Sequence, residues 1–121
     1  MAINYSEKKL HWTYFLALER DFETITRYIE PSEANNETFS IELARLIMSA
    51  TQEVDVVLKR FCKLLDHSAS PEKIGQYHPI VKRSFPDFFS LRIIAPRFGM
   101  DGKPWIDWKP SKAPEWVERQ Q

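Results

Sequence analysis

The longest amphipathic stretch of the chain is TFSIELARLIMSATQEVDVVLKRFCKLL, residues 38–65, which contains neither proline nor glycine. Apolar side chains recur along it at alternating spacings of four and three residues, and this period places them on one face of an α-helix. The members of this seam are Leu43, Ile47, Ala50, Val54, Val57, Phe61 and Leu64. A second apolar stripe beside it widens the face, so we expect a central helix that packs against elements on two sides.

The chain before this stretch predicts another long helix, over residues 4–29. Asn4 is a favourable N-cap residue with Glu7 three positions later, and Pro31 follows the last turn. Five apolar side chains and one histidine recur along it with the same helical spacing. They are His11, Phe15, Leu18, Phe22, Ile25 and Ile29. We expect this stripe to face the core.

A polar connection over residues 30–38 separates the two helices and is long enough for the chain to reverse. Reversal near its middle makes the helices antiparallel neighbours. In that register Phe22 faces Ala50. One turn further along, Leu18 faces Val54.

Turn-forming residues are concentrated after residue 70, where seven of the eight prolines and all three glycines lie. A short third helix is expected to have Pro71 at its first position and to end before Pro86. Its inner face should carry Ile74, Tyr77, Ile80, Val81 and Phe85. The rest is irregular, with a turn predicted over residues 100–103 between two short extended pieces and a final helix opening at Pro114.

These elements predict an all-α fold. We expect a helical bundle with two long antiparallel helices, a short third helix and an irregular aromatic- and proline-rich C-terminal segment with room for a short β-hairpin. A length of 121 residues fits one domain with one core. No apolar run is long enough for a membrane span or a signal peptide, so we expect a soluble, cytoplasmic protein without a membrane partner.

The net charge is zero, from seventeen basic and seventeen acidic residues, which argues against a nucleic-acid coat protein and an acidic DNA mimic. Cys62 is the single cysteine, so it cannot form an internal disulfide. It makes no metal-ligand spacing with the three histidines, and we expect no metal and no cofactor. Asp55 lies on an apolar stripe, where a carboxylate more often bonds to a nearby tyrosine or arginine than it catalyses a reaction.

Arg60 and His67 are candidate catalytic residues of a ribonuclease. A spacing of seven residues returns a continuous helix to nearly the same face, about 20° away. An arginine that holds a phosphate beside a histidine acting as general acid or base can cleave RNA without a metal. The alternative is an ordinary solvated face, because Glu42 and Glu53 share it.

Cations and aromatic residues are interleaved in the C-terminal segment, a pattern that can bind single-stranded RNA by base stacking and phosphate contacts. The candidate binding residues are Lys82, Arg83, Arg92, Arg97, Trp105 and Trp108. The same aromatic side chains can instead anchor an irregular segment to the helices. The sequence leaves both interpretations open.

Several short segments, in the same order along most of the chain, resemble a bacterial group of HEPN-like helical proteins. They are FLALERDF (15–22), IELARL (41–46), EVDVVLK (53–59), FPDF (85–88), PRFG (96–99), PWIDW (104–108) and PEW (114–116). The resemblance implies a bundle of four or five helices, often paired into a dimer with an RNA-cleaving cleft. It also implies a setting in toxin–antitoxin pairs or antiviral defence.

The hallmark of that family is an arginine followed four to six residues later by a histidine, near the start of a late helix. By the resemblance, the corresponding segment should follow the tryptophan-rich stretch, and Arg119 has no histidine after it. We therefore expect a catalytically silent HEPN-like domain, truncated at its C-terminus, that acts by binding protein. The alternative is a metal-independent ribonuclease that uses Arg60 and His67 at a dimer cleft.

Without a late helix, one apolar stripe of the central helix would lack a cover. We therefore expect a homodimer or a tight heteromer, since exposed apolar area favours association. The interface residues are Met48, Thr51, Leu58 and Cys62. The competing expectation is that the aromatic tail of the same chain folds over them.

Overall fold

The computed structural model describes residues 7–114 and residue 116. The burial of side chains is described from residue 10 onward. This part of the chain is mostly helical, with a small antiparallel sheet of two strands. Its helices are α1 (Glu7–Thr26), α2 (Ile41–Leu65) and α3 (Ile74–Ser84), and its strands are β1 (Ile93–Ala95) and β2 (Met100–Gly102). This mostly helical secondary structure agrees with the predicted helical fold class. The chain divides into two compact units, Met1–Ala50 and Thr51–Gln121, which are considered in turn.

In the first unit, α1 ends three residues earlier than the sequence predicts. The amide groups of Arg27 and Tyr28 donate to carbonyl groups three residues back, so the last turn tightens and the α-helix stops. The Thr26 hydroxyl also donates to the carbonyl oxygen of Glu23, at 2.6 Å. The predicted N-cap, Asn4, lies outside the described residues.

The sequence predicts that α2 starts at about Thr38 or Ser40 and ends at Leu65, and the structure has it over Ile41–Leu65. The Ser40 side-chain oxygen accepts a hydrogen bond from the amide of Leu43 at 3.4 Å, and its carbonyl oxygen accepts one from Ala44 at 2.9 Å. Ser40 therefore acts as the N-cap residue. The helix runs without a break to Leu65.

Burial in the first unit is shallow, because no residue from 10 to 50 is buried. Phe15 is exposed, although the stripe that contains it was expected to face a core. The other members of the stripe, His11, Leu18, Phe22, Ile25 and Ile29, are half-buried. No member of the stripe is buried, and the exposure of Phe15 contradicts the expectation that the whole stripe faces a core.

The second unit contains α3, which begins three residues later than the predicted start at Pro71. Lys73 has an extended backbone and is the N-cap residue. The Gln76 side-chain oxygen accepts hydrogen bonds from the amides of Glu72 and Lys73, at 2.7 and 3.1 Å. These bonds cap the helix at Ile74, and Pro71 stays in the preceding loop, where it is buried.

The two extended pieces pair as a β-hairpin, with Ile94 opposite Asp101. Its turn, however, lies at residues 96–99 and not at 100–103, which are mostly strand. Pro96 opens a short 3-10 turn, and Gly99 closes it with a φ of 65°. Only glycine adopts this left-handed conformation without steric cost, so Gly99 fixes the position of the turn.

The hydrophobic core lies in the second unit and joins α2, α3 and the segment after the hairpin. Its buried apolar members are Leu58, Cys62, Tyr77, Val81 and Trp108. The residues of α2 that are buried, Leu58 and Cys62, lie beside the seam, and the seam residues Val57 and Leu64 of this unit are exposed. In the described part of the chain, no helix is long and apolar enough to cross a membrane.

Candidate functional site

A cluster of aromatic rings joins α3 to the segment that follows the hairpin. This aromatic cluster consists of His78, Phe88, Phe89, Trp105 and Trp108. The ring centroids of His78 and Phe89 lie 4.3 Å apart, and those of His78 and Trp108 lie 5.2 Å apart in an edge-on arrangement. Phe88 and Trp105 make a further contact at 5.6 Å. The rings therefore anchor the irregular segment, as one of the two interpretations of the sequence predicts.

His78 is the polar centre of this cluster and is only 6% exposed. Its Nε2 atom lies 3.1 Å from the carbonyl oxygen of Trp108, within hydrogen-bond distance. Among the described residues, neither Nδ1 of His78 nor Nε1 of Trp108 has a hydrogen-bond partner. Burial lowers the pKa of His78, the hydrogen bond to Trp108 opposes this shift, and the charge of Lys82 adds to it.

The backbone of the same segment approaches α3 closely at a second point. A Cβ atom added to Gly75 would lie 2.7 Å from the carbonyl oxygen of Pro110, closer than real Cβ atoms come to other atoms. Gly75 thus allows the segment to lie against the first turn of the helix. A short turn with mutual amide-to-carbonyl hydrogen bonds between Lys109 and Lys112 surrounds this contact.

Asp55 and Tyr77 form the main polar link between α2 and α3. The Tyr77 hydroxyl donates to Asp55 Oδ1 at 3.0 Å, in agreement with the interpretation that Asp55 bonds to a nearby tyrosine, arginine or helix cap. Burial, reinforced by this carboxylate, raises the pKa of Tyr77. Cys62 also contacts Tyr77, because its Sγ atom lies 3.7 Å from the Tyr77 carbonyl oxygen. Burial raises the pKa of the Cys62 thiol, which disfavours the nucleophilic thiolate.

The candidate catalytic pair, Arg60 and His67, does not share a helical face. Their common face requires a helix that continues through residue 67, and α2 ends at Leu65. Asp66 causes this end, because its Oδ1 accepts hydrogen bonds from the amide and the hydroxyl of Ser68, at 3.1 and 2.6 Å. The same bonds lower the pKa of Asp66. Both Arg60 and His67 are exposed, and the helix geometry that motivated the pair is absent.

The two tryptophans proposed for RNA binding are used in packing. Trp108 is 3% exposed, so it has no free face on which a base could stack. Trp105 is half-buried and contacts the rings of Phe88, Trp108 and Trp116. The indole nitrogen of Trp116 donates to the carbonyl oxygen of Pro104 at 3.0 Å. The prediction that Trp108 binds RNA is therefore wrong.

The four cations proposed with them are exposed, but they do not form one uncompensated patch. Arg92 makes two hydrogen bonds to the carboxylate of Asp101 across the hairpin. Arg83 lies 3.7 Å from a carboxylate oxygen of Asp66. The Arg97 guanidinium lies over the ring of Phe98, 5.2 Å from its centroid, and Lys82 is the fourth cation.

The four proposed interface residues have different environments. Leu58 and Cys62 belong to the core of the second unit, so the chain itself covers them and they cannot contact a partner. Here the competing expectation is confirmed, because Trp108 of the tail belongs to the same buried cluster. Met48 is 65% exposed and Thr51 is half-buried. Of the four proposed interface residues, therefore, only Met48 and Thr51, which lie nearest the N-terminus of α2, are still accessible.

The first unit exposes large apolar side chains on both of its helices. We refer to them as the exposed apolar set; they are Leu10, Trp12, Tyr14, Phe15, Ile41, Ile47 and Met48. Trp12 and Phe15 stack on each other, with ring centroids 5.3 Å apart. The sequence pattern did not identify Leu10 or Trp12, because they lie off the predicted stripe.

His78 is the residue that the sequence analysis missed. It lies four residues after Ile74 and three before Val81, the spacing of one helical face, and this signal was available in the sequence. Among residues 7–114 and residue 116, no three His, Cys, Asp or Glu side chains are grouped so that they could hold a metal ion. Comparisons of the chain with protein-family models, with curated proteins and with solved structures find no match.

Proposed function

We propose that this chain is a catalytically silent, HEPN-like cytoplasmic protein that acts by binding protein, and that its partner is a second copy of itself. The exposed apolar set carries the proposal. No residue from 10 to 50 is buried. Seven large apolar side chains on α1 and the first half of α2 are exposed. The HEPN-like identity and a setting in toxin–antitoxin or antiviral systems rest on the sequence resemblance.

The exposed apolar set presents apolar surface to water, and burial of this surface favours association. Burial of apolar surface contributes roughly 25 cal/mol per Å², and monomeric proteins rarely expose contiguous apolar patches larger than a few hundred Å². A second copy presents the same side chains on the same two helices. A two-fold contact between the copies can therefore cover both sets at once.

The half-buried residues of the first unit support a finer arrangement within each copy. Phe22 on α1 and Ala50 on α2 are both half-buried. An antiparallel pairing of the two helices, with Phe22 opposite Ala50, would give both residues this partial burial. The remaining apolar side chains, such as Trp12 and Met48, then face the partner copy.

A ribonuclease function has weaker support. The helical face that would unite Arg60 and His67 ends at Leu65, and Trp108 is buried. Of the cations proposed to contact RNA, Arg92 is paired with Asp101. We therefore assign no enzymatic role to these residues.

Light scattering of the purified protein at micromolar concentration tests the proposal. We expect a dimer for the natural sequence and a monomer for Met48→Glu and for Trp12→Glu. The matched control is Ile106→Glu, which places the same charge on an exposed apolar residue of the second unit and should remain dimeric. A natural chain that is monomeric throughout this range, or a dimer that survives both variants, would overturn the proposal.

A gel assay with mixed RNA tests the absence of catalysis separately. We expect no cleavage by the natural chain in the presence of a chelator. Cleavage that is lost in His67→Ala would refute the claim of catalytic silence while leaving the dimer result unaffected.

A further inference from the structure

The segment of residues 103–114, called here the aromatic strap, lies against α3 at two points. His78 is within hydrogen-bond distance of the Trp108 carbonyl oxygen, and the Gly75 backbone meets the Pro110 carbonyl oxygen. His78 and Trp108 are separated by thirty residues in sequence. These contacts with α3 therefore help to hold the strap in place, together with the packing of Trp108 in the core.

We propose that His78 is a pH-sensitive latch that holds the aromatic strap on α3 when its ring is neutral and releases the strap when the ring takes up a proton. This role is independent of the proposed dimer. It rests on the position of the ring, on the atoms that its two nitrogens meet, and on the surrounding groups.

The hydrogen bond to the strap fixes the tautomer of the neutral ring. A carbonyl oxygen can only accept a hydrogen bond, so Nε2 of His78 must carry the hydrogen that is donated to Trp108. Nδ1 is then a bare lone pair. In the neutral ring this atom is unpaired but carries no charge, so its burial costs less than the burial of a cation would.

Protonation of the ring changes the hydrogen-bonding requirement of Nδ1. It places an N–H group and a positive charge at Nδ1, which has no acceptor within reach among the described residues. The other unpaired side-chain polar atom of the cluster among the described residues, Nε1 of Trp108, is itself a donor and cannot accept a hydrogen bond from Nδ1. The ring of Phe89 offers the cation only one aromatic face in place of a hydration shell.

The charged groups on the surrounding elements do not compensate for this cation. Those on α3, on the turn that carries Phe88 and Phe89, and on the strap are Lys82, Arg83, Asp87, Lys103, Asp107, Lys109 and Lys112. None of them lies within hydrogen-bond distance of Nδ1, and Lys82 repels a positive ring. On α2, Asp55 accepts the hydrogen bond of Tyr77.

Protonation of His78 and release of the strap are thermodynamically linked, and this linkage sets the direction in which pH changes strap release. Burial holds the pKa of His78 below its ordinary value of 6.5 while the strap is in place, and release exposes the ring to water. The released state therefore binds more protons below about pH 6.5. The equilibrium constant for release should rise as pH falls through this region, by at most about tenfold per pH unit, and should be constant above it.

Amide hydrogen exchange of the natural chain between pH 7.5 and 5.5 tests this proposal, after correction for the intrinsic pH dependence of exchange. We expect strap amides, such as that of Trp108, to lose protection below pH 6.5. The amides of the hairpin, from Ile93 to Gly102, should show no such change. Loss of protection in both regions together would indicate general unfolding and would overturn a local latch.

Two variants separate the latch from other histidines. His78→Gln keeps a donor for the Trp108 carbonyl and removes the titration, so its strap protection should not vary with pH. His67→Gln, which changes an exposed histidine, should behave as the natural chain does. An unchanged pH response in His78→Gln would overturn the proposal.

If His78→Gln does not fold, the ring itself can be followed in the natural chain by NMR. We expect the His78 ring to titrate with an apparent midpoint below 6.5, coincident with the loss of strap protection. Constant strap protection down to pH 5.5, or a midpoint at or above 6.5, would contradict the latch.

Discussion

The hydroxyl group of Tyr77 on α3 donates a hydrogen bond to the carboxylate of Asp55 on α2, with 3.0 Å between the two oxygen atoms. The two residues are twenty-two positions apart in sequence, so the bond fixes the register of one helix on the other. The Tyr77 ring is fully buried, whereas Asp55 is half-buried and stays in partial contact with water. The pair therefore combines apolar packing with a single directional polar contact.

Replacement of Tyr77 by phenylalanine removes this bond and leaves the packing in place. We expect Tyr77→Phe to lower the free energy of unfolding by about 1 kcal/mol, because a typical hydrogen bond contributes that much and Asp55 keeps access to water. Urea denaturation followed by circular dichroism measures the change. The control is Tyr28→Phe, at a residue that is 84% exposed, which should have almost no effect. Equal stability of the two variants would show that the bond contributes nothing.

The core of the second unit can be probed on one helix with two leucines. Leu58 is buried and Leu64 is 71% exposed, and both lie on α2. We expect Leu58→Ala to cost about 2–5 kcal/mol, since it leaves a cavity, and Leu64→Ala to change stability by less than about 0.5 kcal/mol. Both substitutions replace leucine by alanine on the same helix, so most of the difference reports burial. Similar losses in the two variants would contradict the assignment of the buried face.

The close approach at Gly75 predicts a steric effect. We expect Gly75→Ala to destabilise the chain by about 1 kcal/mol, because overpacking costs roughly 1–3 kcal/mol and alanine restores up to about 1 kcal/mol of helix propensity. The displaced atom belongs to the Pro110 backbone, which cannot move as a flexible side chain can. Thermal unfolding measures the change. Gly102→Ala is the comparison, since an added Cβ there meets no atom within 4 Å. A Gly75→Ala variant more stable than Gly102→Ala would show that the strap does not press on α3.

The hairpin ion pair makes a prediction about titration. Hydrogen bonds from Arg92 hold the pKa of Asp101 below its ordinary value of 3.8. The contribution of this pair to stability is therefore complete above about pH 3.8 and is lost as pH falls through the lowered pKa. NMR titration of the Asp101 carboxyl should give a midpoint below 3.8 in the natural chain and near 3.8 in Arg92→Ala. Lys103→Ala, which removes a nearby charge without a bond to Asp101, should leave the lowered midpoint in place.

The sequence alone predicted the three helices and their order, because helix signals are local. The stretch from Ser40 to Leu65 has a regular apolar period, a cap and no helix breaker, and α2 has these bounds. The same local evidence predicted the hairpin, although Gly99 rather than residues 100–103 makes its turn. The bond made by Asp55 could also be expected, since a carboxylate on an apolar stripe needs a partner.

The tertiary structure decided which faces are buried and what the polar residues do. Periodicity shows that α2 has a broad apolar surface. Trp108, which lies forty-six residues after Cys62 in sequence, packs on one part of this surface. Leu58 and Cys62 are therefore covered, while Leu64 stays exposed. His78 could be recognised as a buried, singly bonded histidine only when the carbonyl oxygen of Trp108 was placed beside it. Helix formation depends on neighbours within a few residues, whereas burial depends on segments that are distant in sequence, and for this reason the sequence determined the helices and only the folded chain determined the site.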